Sequence, residues 1–296
     1  MKDRILYIET STSLTSVALS EEGRIVACKS TDVPRSQASL TAVFLDEMLK
    51  EQGLTVRDCD AVCVSKGPGS YTGLRVGSST AKGLCFGADL PLIAIGTLDT
   101  LVAQAVDDGL VPEGCKYIIP MIDARRMEVY TAVFTPDGRQ LTETAPVIVD
   151  ETTFADRLAE GPVLFIGDGA LKCQDVIGGR ATAVDCGSGD GLRGASVRGL
   201  CPLLSPAPLG LPTSPTAPSQ PPAGALGSAF QASATDGTKT AVAGYNAHFV
   251  GCCPRADAML RPAMAAYKEK RFEDTAYFEP FYLKQFVATV SAKKLF

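Results

Sequence analysis

The chain has 296 residues, 46% of them apolar, and a formal net charge of −5. That length supports one large or two moderate domains with a buried core. The acidic balance argues against a stand-alone nucleic-acid binder, whose affinity for phosphate rests on clustered Lys and Arg. No apolar run reaches the roughly 18–20 residues that cross a bilayer, and "MKDRILYIET" enters a strand-like run at once, so the reading is a cytoplasmic chain with no membrane partner. Ten cysteines are scattered without a Cys-x-x-Cys pair, and buried or incidental reduced thiols are expected. His248 is the single histidine, which excludes a His-pair metal motif and leaves a His-based triad one candidate.

"ILYIETS" and "TSVALSEEGRIVACKS" alternate apolar and polar residues across turn signals, which reads as a three-stranded meander. A helix follows in "SQASLTAVFLDEMLKEQG", with Ser36 or Ser39 as its cap and Gly53 as its stop. Its apolar positions Leu40, Phe44, Leu45, Met48 and Leu49 sweep about half the circumference, wider than the ~100° stripe of an ordinary surface helix. "DAVCVSKGPG" is a buried strand, "TGLRVGSSTAKGLCFGA" a helix, and "LPLIAIGTLDTLVAQAV" a strand, turn and helix. "KYIIPMIDARRMEVYTAVFTPDGRQL" reads as a strand and hairpin turning at Asp137–Gly138. "GPVLFIGDGALKCQDVI" is strand, glycine turn and helix. Residues 178–244 are crowded with Pro, Ala, Ser and Gly and lack any sustained period, so a disordered insertion is expected there. "PRADAMLRPAMAAYKEKRFED" is helical with a kink or boundary at Pro262, and "TAYFEPFYLKQF" is an aromatic-rich closing segment. The order of elements makes the class α/β.

"KGPGSYTGLRVG" places four glycines and a proline where a strand passes into a helix. Glycine at that density means that backbone comes close to something: a phosphate, or another piece of chain. Three glycine or hydroxyl turns are candidate phosphate cradles: Thr10 and Ser11, Gly67 and Gly69, and Gly167 and Gly169. Each alone is weak, since short glycine motifs are more often plain turns. Together they sit where an actin-like or sugar-kinase-like ATPase would place its phosphate loops. Asp123, Arg125 and Arg126 can hold a phosphate or an RNA backbone, although charges at a hairpin edge are more often a solvated face. Glu9 has no second acidic partner in view, and Ser36, Ser39 and Ser70 lack a base in any recognisable motif.

"ILYIETSTSLTSVAL", "SKGPGSYTGLRVGSSTAKGL", "PLIAIGTLDTLVAQA", "MIDARRMEVYTAVF" and "YFEPFYLKQF" together resemble the TsaB (YeaZ) family, accessory subunits in making N6-threonylcarbamoyladenosine in tRNA. The resemblance implies a two-lobed actin-like (ASKHA, RNase H-like) α/β fold, each lobe a mixed sheet with flanking helices. The lobes fall at 1–105 and at 106–177 plus 245–296, with 178–244 inserted. It also implies a TsaD-like transferase partner, a TsaE-like ATPase, a homodimer when alone, and tRNA only within the complex. The transferase carries a His-x-x-x-His metal motif where this chain has Thr97 and Leu101, and an isobutyl group cannot ligate a metal. The expectation is therefore no catalysis and no cofactor here, with ATP and divalent metal on the partners. The family's interface lies on its first two helices, here Leu40, Phe44, Leu45 and Met48 with Gly73, Leu74, Gly77 and Ala81. Gly73, Gly77 and Ala81 recur every four residues and leave a groove for a second helix, from a partner or from this chain's own body. The rival expectation is an ATP-dependent phosphotransferase or a peptidase-like enzyme of the same fold.

Overall fold

A computed structural model describes residues 3–178, 183–185 and 246–283. The chain opens with β1 (Arg4–Glu9), β2 (Thr15–Glu21) and β3 (Arg24–Thr31), the expected meander, and α1 (Gln37–Glu51) follows. Next come β4 (Ala61–Gly67), α2 (Tyr71–Ala88), β5 (Leu92–Gly96) and α3 (Thr97–Asp107). The second half holds β6 (Tyr117–Asp123), β7 (Glu128–Thr131), β8 (Ala145–Ile148), α4 (Ala155–Glu160), β9 (Val163–Ile166) and α5 (Ala170–Gly178). After it come β10 (Ala183–Asp185), β11 (Ala247–Gly251) and α6 (Leu260–Lys268). Most of the expected insertion lies outside the described residues. The three residues of β10 lie within it and nevertheless form an edge strand parallel to β11.

Two sheets of like design carry the fold, with strand orders β3-β2-β1-β4-β5 and β10-β11-β9-β6-β7-β8. In each, a meander supplies the antiparallel half, and strands reached through helices supply the parallel half. This is the two-lobed α/β architecture expected from the sequence. Parallel strands need both faces covered, and period-two alternation divides the residues accordingly. Leu6, Ile8, Val17, Leu19, Val62 and Val64 pack with Phe44, Leu45 and Met48 of α1 and Ala81 and Cys85 of α2. On the reverse face, Ile5, Tyr7, Cys63, Ile93 and Ile95 meet Ala256, Met259, Ala263 and Ala266. In the second sheet Ile119, Met121, Phe165 and Phe249 lie on the side of α4 and α5. Ile118, Ile122, Leu164 and Ile166 take Leu98, Leu101, Val102 and Ala105 of α3.

These packings correct the expected lobe boundaries. α3 begins within the N-terminal span but fills the second lobe's core. The stretch from Ala256 through α6 returns to the first sheet, and Phe278 enters the core beneath α1 and α2. The small and apolar positions 256, 259, 263 and 266 recur at helical spacing and cover the first sheet's reverse face. Pro262 lies in the first turn of α6, where its missing N–H costs nothing, so the helix starts there instead of kinking. A further turn escaped the sequence reading: β6 and β7 are joined at 124–127, ahead of the Thr135–Arg139 turn that contains Gly138.

Candidate functional site

Four turns and the closing segment converge on a cleft of about 900 Å³ between the sheets. Ser11–Ser13 come from the β1–β2 turn, Pro68–Thr72 from the start of α2, and Asp123–Arg126 from the β6–β7 turn. Asp168 comes from the β9–α5 turn, and Phe281–Leu283 close one side. The three glycine or hydroxyl turns singled out in the sequence are thus brought to one place.

They do not stand open there. A Cβ on Gly69 would lie under 3.0 Å from the Ser11 carbonyl oxygen, and one on Gly73 equally close to that of Thr10. One on Gly77 would strike the Thr10 hydroxyl, and one on Gly167 the Met121 carbonyl. Gly67 and Gly167 also hold φ of +102° and +130°, which L side chains rarely adopt. Gly169 donates its N–H to Met121 at 3.0 Å. The Ser70 N–H donates to the Ser11 carbonyl at 2.6 Å, and the Thr10 hydroxyl donates to the Gly73 carbonyl at 2.7 Å. The Ser70 hydroxyl accepts the Gly73 N–H at 3.3 Å, capping α2 from within. The close approach that so many glycines announce at the start of α2 is therefore to the chain's own first turn, and Ser11, Gly167 and Gly169 donate their backbone N–H groups to Glu9, Val250 and Met121 of the chain itself.

The interface residues need a similar correction. Phe44, Leu45, Met48, Leu74 and Ala81 are buried in the lobe's own core, and Leu40 packs against it. Gly73 and Gly77 receive the β1 end at Thr10, together with Val64 and Ile8. The groove is filled from inside, because α2 can approach the sheet closely only where its side chains are absent. What α1 and α2 present outward is different: Val43 at 44% exposure, Phe86 at 89%, and Gly83 and Gly87 with nothing within 4 Å of a built Cβ.

Glu9 is fully buried at the end of β1, where its Oε1 accepts the Ser11 N–H at 2.7 Å. Burial pushes its carboxyl from 4.5 up to about 7, partly offset by the hydrogen bonds from Ser11. Asp168 accepts the Asp123 N–H at 2.9 Å, and burial, with the Asp123 charge adding to it, raises its pKa to about 6. Asp123 is ion-paired with Lys172, which also donates to the Arg126 and Glu128 carbonyls. Arg125 and Arg126 stand side by side with φ of 71° and 53°, both exposed on the cleft rim. Thr12 is 5% exposed, and its hydroxyl has no partner although it lines the cleft.

His248 lies in β11 opposite Leu164 and does not line the cleft. The eight cysteines among the described residues form no disulfide, and burial pushes the Cys85 thiol up to about 11 and Cys59 up to about 12. Thr97 exchanges a hydroxyl hydrogen bond with Ser65 at 2.9 Å, and Leu101 is wholly buried. Among the described residues no three His, Cys, Asp or Glu side chains gather as a metal site, and no helix is long and apolar enough to cross a membrane. Sequence reasoning named no role for Thr12, Tyr71, Asp168 or Tyr282 individually, although the first three lie inside the three turns it singled out and Tyr282 in the closing aromatic segment; their convergence on one cleft is tertiary.

A family model described as TsaD, tRNA N6-adenosine threonylcarbamoyltransferase, matches residues 33–291. The chain is 32% identical over 182 residues to the tRNA threonylcarbamoyladenosine biosynthesis protein TsaB of Bacillus subtilis, covering 59% of this chain and 76% of that protein. It is 36% identical over 138 residues to the Escherichia coli protein of the same name, covering 45% of this chain and 56% of that one, so it spans little more than half of that relative. YeaZ from Pseudomonas aeruginosa matches in fold with a TM-score of 0.64 at 20% identity, covering 95% of this chain and 100% of that one. With three quarters of a TsaB protein matched in sequence and the two-lobed architecture of YeaZ matched in fold, the chain belongs to the TsaB (YeaZ) family, within the wider group that the TsaD model describes.

Proposed function

We propose that this chain is a non-catalytic subunit in the biosynthesis of tRNA threonylcarbamoyladenosine, pairing with a TsaD-type transferase that modifies adenosine 37 of tRNAs reading ANN codons. The relatives' printed names support the pathway. In the complex a TsaE-type ATPase completes the assembly, and tRNA is met only there. Alone, the chain uses the same face to form a homodimer. ATP and divalent metal belong to the partner subunits.

The observation that carries the pairing is the outward face of the first two helices. Phe86 is almost fully solvated and Val43 half so, beside two glycines that let a second helix approach closely. Burying such a face against another helix removes apolar area that the isolated chain leaves wet. Two observations support the non-catalytic part. Thr97 and Leu101 stand where the resemblance places the transferase's histidines, and the Gly73, Gly167 and Gly169 N–H groups are bonded within the chain itself. The phosphotransferase and peptidase alternatives lack such support, since no serine or cysteine of the described cleft has a histidine beside it.

Light scattering after size exclusion tests the reading on the full chain mixed with its TsaD-type partner. Gly83→Arg and Phe86→Asp are expected to abolish the heterodimer while leaving the thermal midpoint of the isolated chain within a few degrees. Wild-type chain that stays separate, or variants that still pair, would overturn it. Gly77→Leu is not a usable probe, because its side chain would collide with Thr10 inside the lobe.

A further inference from the structure

Among the described residues the chain crosses between the two lobes at Gly96 to Thr97 and again along 252–255. Lobes move against each other only where a few linking residues are free to change φ and ψ. Neither crossing has such residues. α3 follows β5 directly, and the Thr97 hydroxyl at its start shares a buried hydrogen bond of 2.9 Å with Ser65 of β4. The Thr100 hydroxyl donates to the Gly96 carbonyl at 3.1 Å. Farther along, Leu98, Leu101 and Val102 lie in the second lobe's core, so one stiff helix belongs to both lobes.

The second crossing is an irregular strap, and α3 holds it. Gln104 of α3 is buried; its Nε2 donates to the Cys253 carbonyl at 3.3 Å, and its Oε1 accepts the Arg255 N–H at 3.1 Å. A carboxamide suits this task because it offers a donor and an acceptor in one plane, and burying it is costly unless both are bonded. One residue on, the Ala256 N–H donates to the Ser16 hydroxyl of β2 at 2.8 Å, inside the protein. Outside, the Arg255 guanidinium holds Asp108 at 2.9 and 3.0 Å. Arg261 of α6 pairs with Asp107 at 2.9 Å and donates to the Ala103 carbonyl at 3.3 Å. Within 253–256 the strap is therefore bonded both to the helix that fills the second lobe and to the first lobe's sheet. Turning one lobe on the other would break these bonds together and leave the buried Gln104 carboxamide and Ser16 hydroxyl unpaired.

We infer that Gln104 is the buckle of an interlobe lock: it positions the strap so that the two lobes keep one angle, and the cleft between them neither opens nor closes. Gln104 is a positioning residue that acts through the strap. The lock is independent of the pairing with a transferase. Where that pairing holds, a partner seated on α1 and α2 meets the second lobe at a fixed place.

Two readouts on the full chain test the lock. Fluorescence energy transfer between dyes on non-canonical keto residues placed at Arg57 and Glu151, one exposed position in each lobe, reads the lobe angle. Hydrogen exchange reads the Arg255 and Ala256 amides. Wild type is expected to give one narrow distance and to protect both amides as strongly as those of β1 and β9. Gln104→Met keeps the volume but bonds neither end of the strap. It is expected to broaden the distance distribution and to speed exchange at Arg255 and Ala256 at least about tenfold, with β1 and β9 unchanged. Exchange raised alike in every strand would mark Gln104 as a merely structural residue and overturn its role in the lock. Asp108→Asn changes an exposed side chain and guards against a Gln104 variant that fails to fold; it is expected to speed strap exchange severalfold with an unchanged melting temperature. Several interlobe distances in wild type, strap amides that exchange as fast as an open loop, or variants that leave both readouts unchanged would also overturn the lock.

Discussion

Glu9 shows how far a single residue's position governs behaviour. An acid whose folded pKa stands above its unfolded value keeps its proton preferentially in the folded state. The contribution of Glu9 is therefore fully present below about 4.5 and is lost as pH rises towards about 7. Relative to wild type, Glu9→Gln is expected to remove that part of the pH slope and to be more stable at pH 8, by up to about 3 kcal/mol for a shift of this size. Urea denaturation of both proteins at pH 4.5, 6 and 8 reads the difference, and parallel pH profiles would refute it. "ILYIET" displayed the glutamate, but its burial follows from a turn that folds Ser11 back over the strand end, which no neighbour in sequence reports.

α2 carries glycines with opposite consequences along one element. Gly73 touches the Thr10 backbone, so Gly73→Ala is expected to destabilise by about 1–3 kcal/mol, the usual cost of overpacking. Gly83 meets nothing, so Gly83→Ala is expected to stabilise the isolated chain by about 0.5–1 kcal/mol through the lower entropy of its unfolded state. Thermal melts of the two variants check the signs, and like signs would refute the reading. Spacing by four revealed that Gly73, Gly77 and Ala81 share a face. It could not reveal that the face turns inward, because periodicity gives relative angle and not the direction of the core. The same gap misassigned Phe44, Leu45 and Met48. The apolar arc of α1 is wide because the helix packs on both the sheet and α2, not because a partner covers it.

At the scale of the molecule, two sheets of the same pattern are tied together by segments that cross between them. α3 leaves the first sheet to fill the second lobe's core, and α6 returns from the second lobe to cover the first. Arg255, just ahead of α6, bonds Asp108 at the end of α3 through both terminal nitrogens at 2.9 and 3.0 Å and also reaches Asp257. Phe278 closes the first lobe's core, and the Lys82 ammonium donates to the carbonyls of Ala276 and Phe278 on either side of the solvated Tyr277. Met259→Ala is expected to cost about 2–5 kcal/mol and Phe278→Ala about 3–5 kcal/mol. Because both residues come from the end of the chain and pack against its beginning, a single shifted urea transition is expected for each. A separate early transition that leaves the first lobe intact would contradict that coupling.

The sequence by itself determined the α/β class, the opening meander, the succession of helices and strands, the closeness of backbone at "KGPGSYTG" and the family resemblance. All of these rest on local periodicity, turn chemistry and motif order, which neighbouring residues carry among themselves. Only the tertiary structure decided what the glycines approach, which face of α2 is inward, that α3 and α6 exchange lobes, and that Thr12, Arg125, Arg126 and Asp168 meet around one cleft. Those are relations between residues tens to hundreds of positions apart. They are set by which uncovered sheet face each amphipathic element can bury, and no local pattern encodes that choice.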